Sequence, residues 1–197
     1  MIRVHLVLAF SLLVTCTLRA ELPPPPARGS DAERVDLELV LRVQRLATAA
    51  DRERAARIKD EALGTLFGAP YGPLTAAEVA RWSAAFAPIA DETEDLVDAL
   101  KKRYGRPRPY VLDHRIRCLA GRPGGLSYPS GAAAVAEVFA RLLSRIDPSR
   151  QAAFLARAAQ IGRDRVVVGA HHPSDVAAGL VLGDQLEERF RGRLRRP

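Results

Sequence analysis

SYPSGAAAVAEVFARLLSRI, residues 127–146, is the stretch on which the fold is decided. Beyond Ser130 it is rich in alanine and leucine, so it favours helix by propensity, with an end near Ile146. Working outward, Asp147-Pro148 stands in the order of an N-cap and a first turn and predicts a second helix running to about Gly162. Ser174 is read as the cap of a last helix from Asp175 through Phe190. Upstream, Thr75 and Glu78 make a capping-box pattern for a helix near 76–86. Another helix follows Pro88, from Ile89 to about Lys102, and Gly105, Pro107 and Pro109 end it. Asp31 caps a long first helix whose core stripe is Leu39, Val43, Leu46, Ala47 and Ala50, with Glu38, Arg42, Arg45 and Arg52 off it. No alternating strand pattern and no fixed-period repeat interrupts this series, and Val166–Val168 is too short to decide between strand and buried helix. The expectation is an all-α, single-domain bundle.

The 197 residues are 48% hydrophobic and 27% charged, which excludes a disordered chain, a collagen-like rod and a disulfide-stapled miniprotein. Only 6% are aromatic, which again favours helix over sheet. The formal charge is +7, and its excess gathers in the tail at Arg189, Arg191, Arg193, Arg195 and Arg196. That pattern reads as a solvated helix end, with contact with an anionic surface as the sharper alternative. No nucleic-acid motif or aromatic stacking platform accompanies the arginines.

Residues 1–20 read as a secretory signal: Arg3 and His5 give a basic start, Leu6–Val14 is an apolar run broken by Ser11, and Ala20 is a cleavage residue. A lipoprotein reading through Cys16 fits poorly because Thr15 is bulkier than the small residue expected there. Nothing after the leader is an unbroken apolar stretch of about 18 residues, the length that spans a bilayer. A periplasmic or secreted protein with no transmembrane span is expected. Cys118 is then the last cysteine left, so no internal disulfide forms. Residues 21–30, ELPPPPARGS, are a proline-rich linker that cannot be helical, and 31–197 form the domain.

Three clusters combine groups that a core would reject. KKRYGRPRPY holds Lys101, Arg106 and Arg108; SYPSG places Ser130 and Gly131 at a helix start; RDRVVVGAHHPSD holds Arg165, His171 and Asp175. A helix start offers unpaired N–H groups and partial positive charge, and Gly131 lets a ligand approach the backbone. Guanidinium forks and an ammonium complete a phosphate site. His171, four residues before Asp175, suits a nucleophile whose second nitrogen is held by that carboxylate. Taken singly each signal is weak, since an Arg in a loop is usually solvated and Pro-Ser-Gly is by default a turn and cap.

The spacing Lys101-x6-Arg108-Pro109, then Pro129-Ser130-Gly131, then Arg165-x5-His171-x3-Asp175 resembles the three-part signature of the type 2 phosphatidic acid phosphatase superfamily. The leader, the doubled Arg106 and Arg108 and the SYPSG spelling are most similar to bacterial class A non-specific acid phosphatases, over roughly residues 60–190. The resemblance implies the all-helical acid phosphatase/vanadium haloperoxidase fold, no metal or other cofactor, a small-molecule phosphate ester as substrate, and a phosphohistidine intermediate. It makes Lys101, Arg108, Ser130, Gly131 and Arg165 the phosphate cradle, His171 the nucleophile and Asp175 its orienting carboxylate. Arg106 takes a supporting role that a salt bridge explains equally well.

Two positions depart from the pattern. Asp164 stands where Ser usually precedes the arginine, and either pairs with Arg165 or faces solvent. Ala132 stands where the pattern continues Pro-Ser-Gly-His, and that His is the residue that protonates the departing oxygen in the family. A positioned general acid is worth about 10² to 10⁴ in rate, so alkyl phosphates should suffer more than aryl phosphates or anhydrides. His172 and His114 are the remaining candidates for the proton. Beside the leading reading, an exported phosphomonoesterase, stand a phosphate-binding protein without turnover, motivated by Ala132, and a vanadium-dependent haloperoxidase. Oligomeric state is not encoded in any motif.

Overall fold

A computed structural model describes residues 22–119, 121 and 123–193; the leader, Arg195 and Arg196 lie outside the described residues. Among the described residues eight α-helices follow one another: α1 (Asp31–Leu46), α2 (Ala49–Ala56), α3 (Leu63–Phe67), α4 (Ala76–Tyr104), α5 (Pro109–Leu112), α6 (Gly131–Ile146), α7 (Gln151–Val167) and α8 (Pro173–Phe190). A 3₁₀ turn, Pro148–Arg150, joins α6 to α7. The described residues hold two isolated bridges, Gly68 with Leu74 and Leu119 with Gly121, and no longer strand.

The Ala-rich stretch becomes the central helix. Residues 131–140 of α6 are all buried, so it is apolar nearly all round and is wrapped by α4, α7 and α8. Phe139 of α6 meets Phe86 of α4 edge to face, with centroids 4.8 Å apart. Against α8 the packing is closer still. A Cβ on Gly179 would stand 2.5 Å from Ser130 O, and one on Gly183 would stand 2.5 Å from Ala134 O. Glycine at both places lets α8 lie directly on the start of α6. Gly179→Ala should therefore cost about 1–3 kcal/mol, as overpacking does, and the midpoint of urea unfolding measures it.

Several boundaries differ from the sequence reading. Helices 76–86 and 89–102 are one helix, α4, with Pro88 inside it. Pro88 and Ala84 are both exposed, so the carbonyl that loses its amide partner faces water. Trp82, Phe86, Ile89, Ala90, Thr93 and Val97 continue as one buried stripe through the proline. The first helix is shorter than read: it ends at Leu46, and Thr48 and Asp51 form a capping box for α2. Its N-cap is Ser30, whose side chain accepts from Glu33 N, and Asp31 is in the first turn.

The face of α1 is also corrected. Glu33, Asp36 and Val40 are buried, whereas Leu39 is 39% and Leu46 68% exposed. Leu39 and Leu46 instead line an apolar cavity of about 660 Å³ between α1, α7 and α8. Asp36 fixes this rotation, because it faces inward to meet Arg106 and Ser174. The second-last helix runs past Gly162 to Val167, taking two of the three valines with it. Glycine is needed inside that helix, since a Cβ at Gly162 would stand 2.6 Å from Val176 Cγ1.

The last helix begins at Pro173 with His172 as N-cap, while the Ser174 hydroxyl reaches Asp36 instead of capping. In its described part, residues 22–30, the proline-rich linker carries no helix, as read, yet it packs on the domain. Leu22 is buried, Tyr104 Oη donates to Leu22 O at 3.1 Å, and Tyr128 Oη donates to Pro23 O. In the described part of the tail, Arg189 and Arg193 pair with Glu92 and Arg191 with Glu188, so α8 is tied to α4.

Candidate active site

The site forms where the end of α4, the start of α6 and the α7–α8 turn meet. Gly105, in the left-handed region at φ 63°, ends α4 and sends Arg106-Pro107-Arg108 back across the bundle. Arg108 is buried and donates from Nη1 to Ala170 O at 2.9 Å and from Nη2 to Gly124 O at 3.1 Å. The same Nη1 lies 3.3 Å from His171 Nε2. Burial lowers the Arg108 and Arg165 pKa values, so both guanidiniums gain from an anion that replaces lost hydration.

His171 is buried, and its Nδ1 lies 2.9 Å from Ser127 O. A carbonyl only accepts, so Nδ1 carries the proton and Nε2 keeps its lone pair beside Arg108. The Asp175 carboxylate is 3.6 Å from Nδ1, farther than the carbonyl. Orientation of the ring is thus shared: Ser127 O makes the hydrogen bond, and Asp175 supplies charge next to it.

Desolvation, opposed by Asp175, pushes the His171 pKa down to about 4, so the ring is neutral near pH 7. The unfolded chain takes up this proton near pH 6.5 and the folded chain only near 4. The contribution of His171 to stability is complete above pH 6.5 and is lost as pH falls towards 4. With each pKa unit worth about 1.4 kcal/mol, the loss is on the order of 3 kcal/mol. Thermal unfolding followed across that range should show the slope, and His171→Gln should flatten it.

Asp175 is fully buried, and its Oδ1 accepts from Arg106 Nη1 at 2.6 Å. Its Oδ2 accepts from Ser127 Oγ at 2.5 Å, His172 N at 2.9 Å and His172 Nδ1 at 3.0 Å. Burial alone would raise its pKa, but the interactions with the imidazoles of His171 and His172 hold it well below the carboxylate range. Arg106 also bonds Asp36 at 2.9 Å and Ser174 Oγ at 2.6 Å. The salt bridge therefore accounts for Arg106, which ties α1 to the carboxylate beside His171. Arg106→Met leaves two buried carboxylates without their cation, and a loss of about 3–5 kcal/mol in urea unfolding is expected.

Ser130 is the buried N-cap of α6: its Oγ accepts from Ala133 N, and its own N–H donates to Asp175 O at 3.0 Å. The N–H groups of Gly131 and Ala132 have no intrahelical acceptor at this helix start. A Cβ on Gly131 would meet only Val97 Cγ1, at 3.5 Å, so the backbone there is open to a ligand. Arg165, in the last turn of α7, donates from Nη1 to Ile58 O at 3.1 Å, and its Nε has no partner. Its charge and that of Arg108 both depress His171.

Arg108, Ser130, Arg165, His171 and Asp175 are thus brought together, and Gly131 stands at the same helix start. Lys101 is the exception: its Nζ bonds Asp98 at 3.0 Å and none of these residues. It lies one turn beyond Val97, the residue packed against Gly131, so it flanks the helix start from α4. Asp164 takes neither course read from sequence. It is fully buried and receives Arg54, Nη2 at 2.9 Å, and Gln160 at 2.9 Å. His114 is exposed after α5, and His172 is wholly buried with no partner for Nε2. Cys118 is half-buried, and its Sγ lies 2.8 Å from Gly121 O.

Sequence reasoning missed Asp36, Arg54 and a carboxyl pair, Glu61 and Glu94. Burial, Glu61 and Asp91 push the Glu94 pKa up to about 7 against the opposing pull of Lys101, and Glu61 in turn faces Arg165. A carboxyl whose pKa is raised to about 7 thus stands on α4 within the electrostatic reach of Lys101. No three His, Cys, Asp or Glu among the described residues are gathered as metal ligands.

Residues 82–184, which contain all three clusters, match the PAP2 superfamily model. The chain belongs to the PAP2 superfamily. Among its relatives, the non-specific acid phosphatase of Providencia stuartii is 30% identical over 172 residues, covering 83% of this chain and 69% of that protein. The non-specific acid phosphatase of Salmonella typhimurium is 31% identical over 173 residues, covering 82% and 68%. Lipid A 1-phosphatase of Rhizobium johnstonii is 38% identical over 92 residues, covering 45% and 38%. The fold is shared with the transmembrane PAP2 type phosphatidylglycerolphosphate phosphatase from Bacillus subtilis, with a TM-score of 0.60 at 18% identity over 85% of this chain and 90% of that one. Among the described residues of this PAP2 protein, no helix is long and apolar enough to cross a membrane.

Proposed function

We propose that this PAP2 phosphatase is exported and hydrolyses phosphate monoesters through a phosphohistidine on His171, with a preference for good leaving groups. The observation that carries the reading is the His171 ring itself: neutral, proton on Nδ1, and Nε2 directed at a guanidinium that can hold a phosphoryl oxygen. In the first step the Nε2 lone pair forms a bond to phosphorus as the ester P–O bond breaks, and the oxygen departs with the bonding pair, as phenolate from an aryl ester or, from an alkyl ester, with a proton taken from solvent water. In the second, water attacks phosphorus, the N–P bond breaks and orthophosphate leaves. Arg108, Arg165 and the Gly131 and Ala132 N–H groups spread the charge of both transition states. Export is supported by the leader sequence.

Ala132 specifically favours a second reading, a phosphate-binding protein that does not turn over. The haloperoxidase reading gains no support from the relatives named above. Rapid mixing with an aryl phosphate labelled at phosphorus, then quenching in base, separates the first two. A label on His171 that is stable in base and lost in acid is expected, because an N–P bond has that signature. Orthophosphate binding with no label and no release would establish the second reading.

A further inference from the structure

Two cavities outside the cradle share one wall residue, Leu119. The first, about 570 Å³, runs from Arg165 past Ile58 and Lys59. The second, about 510 Å³, is lined by Arg45, Arg52, Arg115 and Arg117, with Gln44 at its base. Its one acid, Glu38, is already bound to Arg115 at 2.9 Å, as is Asp113 at 2.7 Å. Neighbouring acids are committed as well: Asp51 to Arg54 and Glu53 to Arg57. Arg45, Arg52, Lys59 and Arg117 have no carboxylate partner among the described residues.

The trough is held rigidly to the cradle. Gln44 Nε2 donates to Arg117 O at 2.5 Å and to Val167 O at 3.1 Å, and its Oε1 accepts from Arg117 N at 3.1 Å. Leu119 N donates to Val168 O at 2.9 Å. Gly169, at φ 72°, is where this loop presses on the α7–α8 turn, and a Cβ there would stand 2.5 Å from Arg117 O. Two residues later comes His171. The Arg117 backbone is thus tied to the turn that carries His171, and Arg45 on α1 and Arg52 on α2 face the same cavity, so cations without carboxylate partners line a binding surface for extended anions, since each guanidinium fork can take two phosphoryl oxygens.

We propose that this trough is a subsite for a second phosphoryl group, so that the preferred ligands are phosphate esters or anhydrides carrying at least one further phosphate. The proposal builds on the phosphatase reading for where the first phosphate sits. Its test compares inorganic tripolyphosphate with orthophosphate, both as inhibitors of aryl phosphate hydrolysis and by calorimetry. Tripolyphosphate should bind at least about tenfold more tightly, a 1.4 kcal/mol advantage. In Arg45→Ser/Arg117→Ser, surface changes that should leave folding intact, that ratio should fall to about threefold or less.

A ratio unchanged in the double variant, with Lys59→Ser/Arg52→Ser equally silent, would overturn the subsite. If the native chain releases no phosphate from aryl esters, the phosphatase reading fails and the calorimetric ratio still decides the trough. Cosedimentation with phosphatidylcholine vesicles containing phosphatidylinositol 4-phosphate distinguishes sources. Sedimentation lost in the double variant assigns a lipid headgroup, and the tripolyphosphate advantage without sedimentation assigns a soluble ligand.

Discussion

His171→Ala is expected to remove phosphate release from aryl phosphates by on the order of 10⁴-fold or more, the scale on which loss of a covalent nucleophile acts. The effect is large because nothing beside the ring can replace it. The other imidazole at the turn, His172, is wholly buried with its Nδ1 on Asp175, and His114 is exposed beyond α5. Binding should survive, since Arg108, Arg165 and the α6 N–H groups remain in place. Orthophosphate affinity of the variant should stay within about tenfold of the native value, the loss of one moderate polar contact. Turnover lost while calorimetric binding persists separates a missing nucleophile from a collapsed cradle. Equal turnover by native and variant chains would overturn the assignment of His171. Arg108→Ala should behave oppositely in part, weakening orthophosphate binding because it removes the guanidinium that touches Nε2.

What could be read from the chain depended on whether a residue's partner was close in sequence. Ser130, Gly131, His171 and Asp175 belong to short segments in which cap, turn and helix start are set locally, and the structure places them together. The Ala-rich composition of α6 likewise marked a helix ending near Ile146, and the structure adds that it is buried and central. Asp164 shows the opposite case: its partner, Arg54, is 110 positions away, and no local pattern marks either residue. The rotation of α1 was misjudged for the same reason. Counting apolar positions gave Leu39 and Leu46 to the core, but Asp36 gains a buried ion pair with Arg106 across 70 positions and turns the helix to reach it. Pro88 misled because a helix can run through a proline where the orphaned carbonyl faces water and the buried stripe continues on both sides, as it does here. Lys101 was identified by spacing alone, and spacing does not say that Asp98, one turn away on α4, holds its ammonium. The carboxyl pair Glu61 and Glu94 joins a loop to a helix, so its raised pKa arises only from the folded arrangement.

Ala132→His is expected to raise turnover of alkyl phosphates by about 10² to 10⁴, and of aryl phosphates far less. The asymmetry follows from the leaving oxygen: an alkoxide must be protonated as the P–O bond breaks, whereas a phenolate leaves with its charge. Ala132 is the second residue of α6, directly after the open Gly131 backbone at which the proposed mechanism seats the phosphoryl group. It is also buried, and Ala132→Asn, similar in bulk but without a titrating proton, controls for crowding. In the native chain the carboxyl whose raised pKa best suits the task is that of Glu94, which is influenced by Glu61 and Lys101, while Glu61 also acts on Arg165. With the Glu94 pKa near 7, a donor role makes alkyl turnover decline as pH rises through that value, because the proton is lost there. The groups that set this titration are Glu61, Asp91 and Lys101. Glu94→Gln should remove that limb for alkyl esters in the native background and leave it unaltered once His occupies position 132. An alkyl rate that responds to neither Ala132→His nor Glu94→Gln, with the aryl rate intact, would mean that protonation of the leaving oxygen does not limit this site.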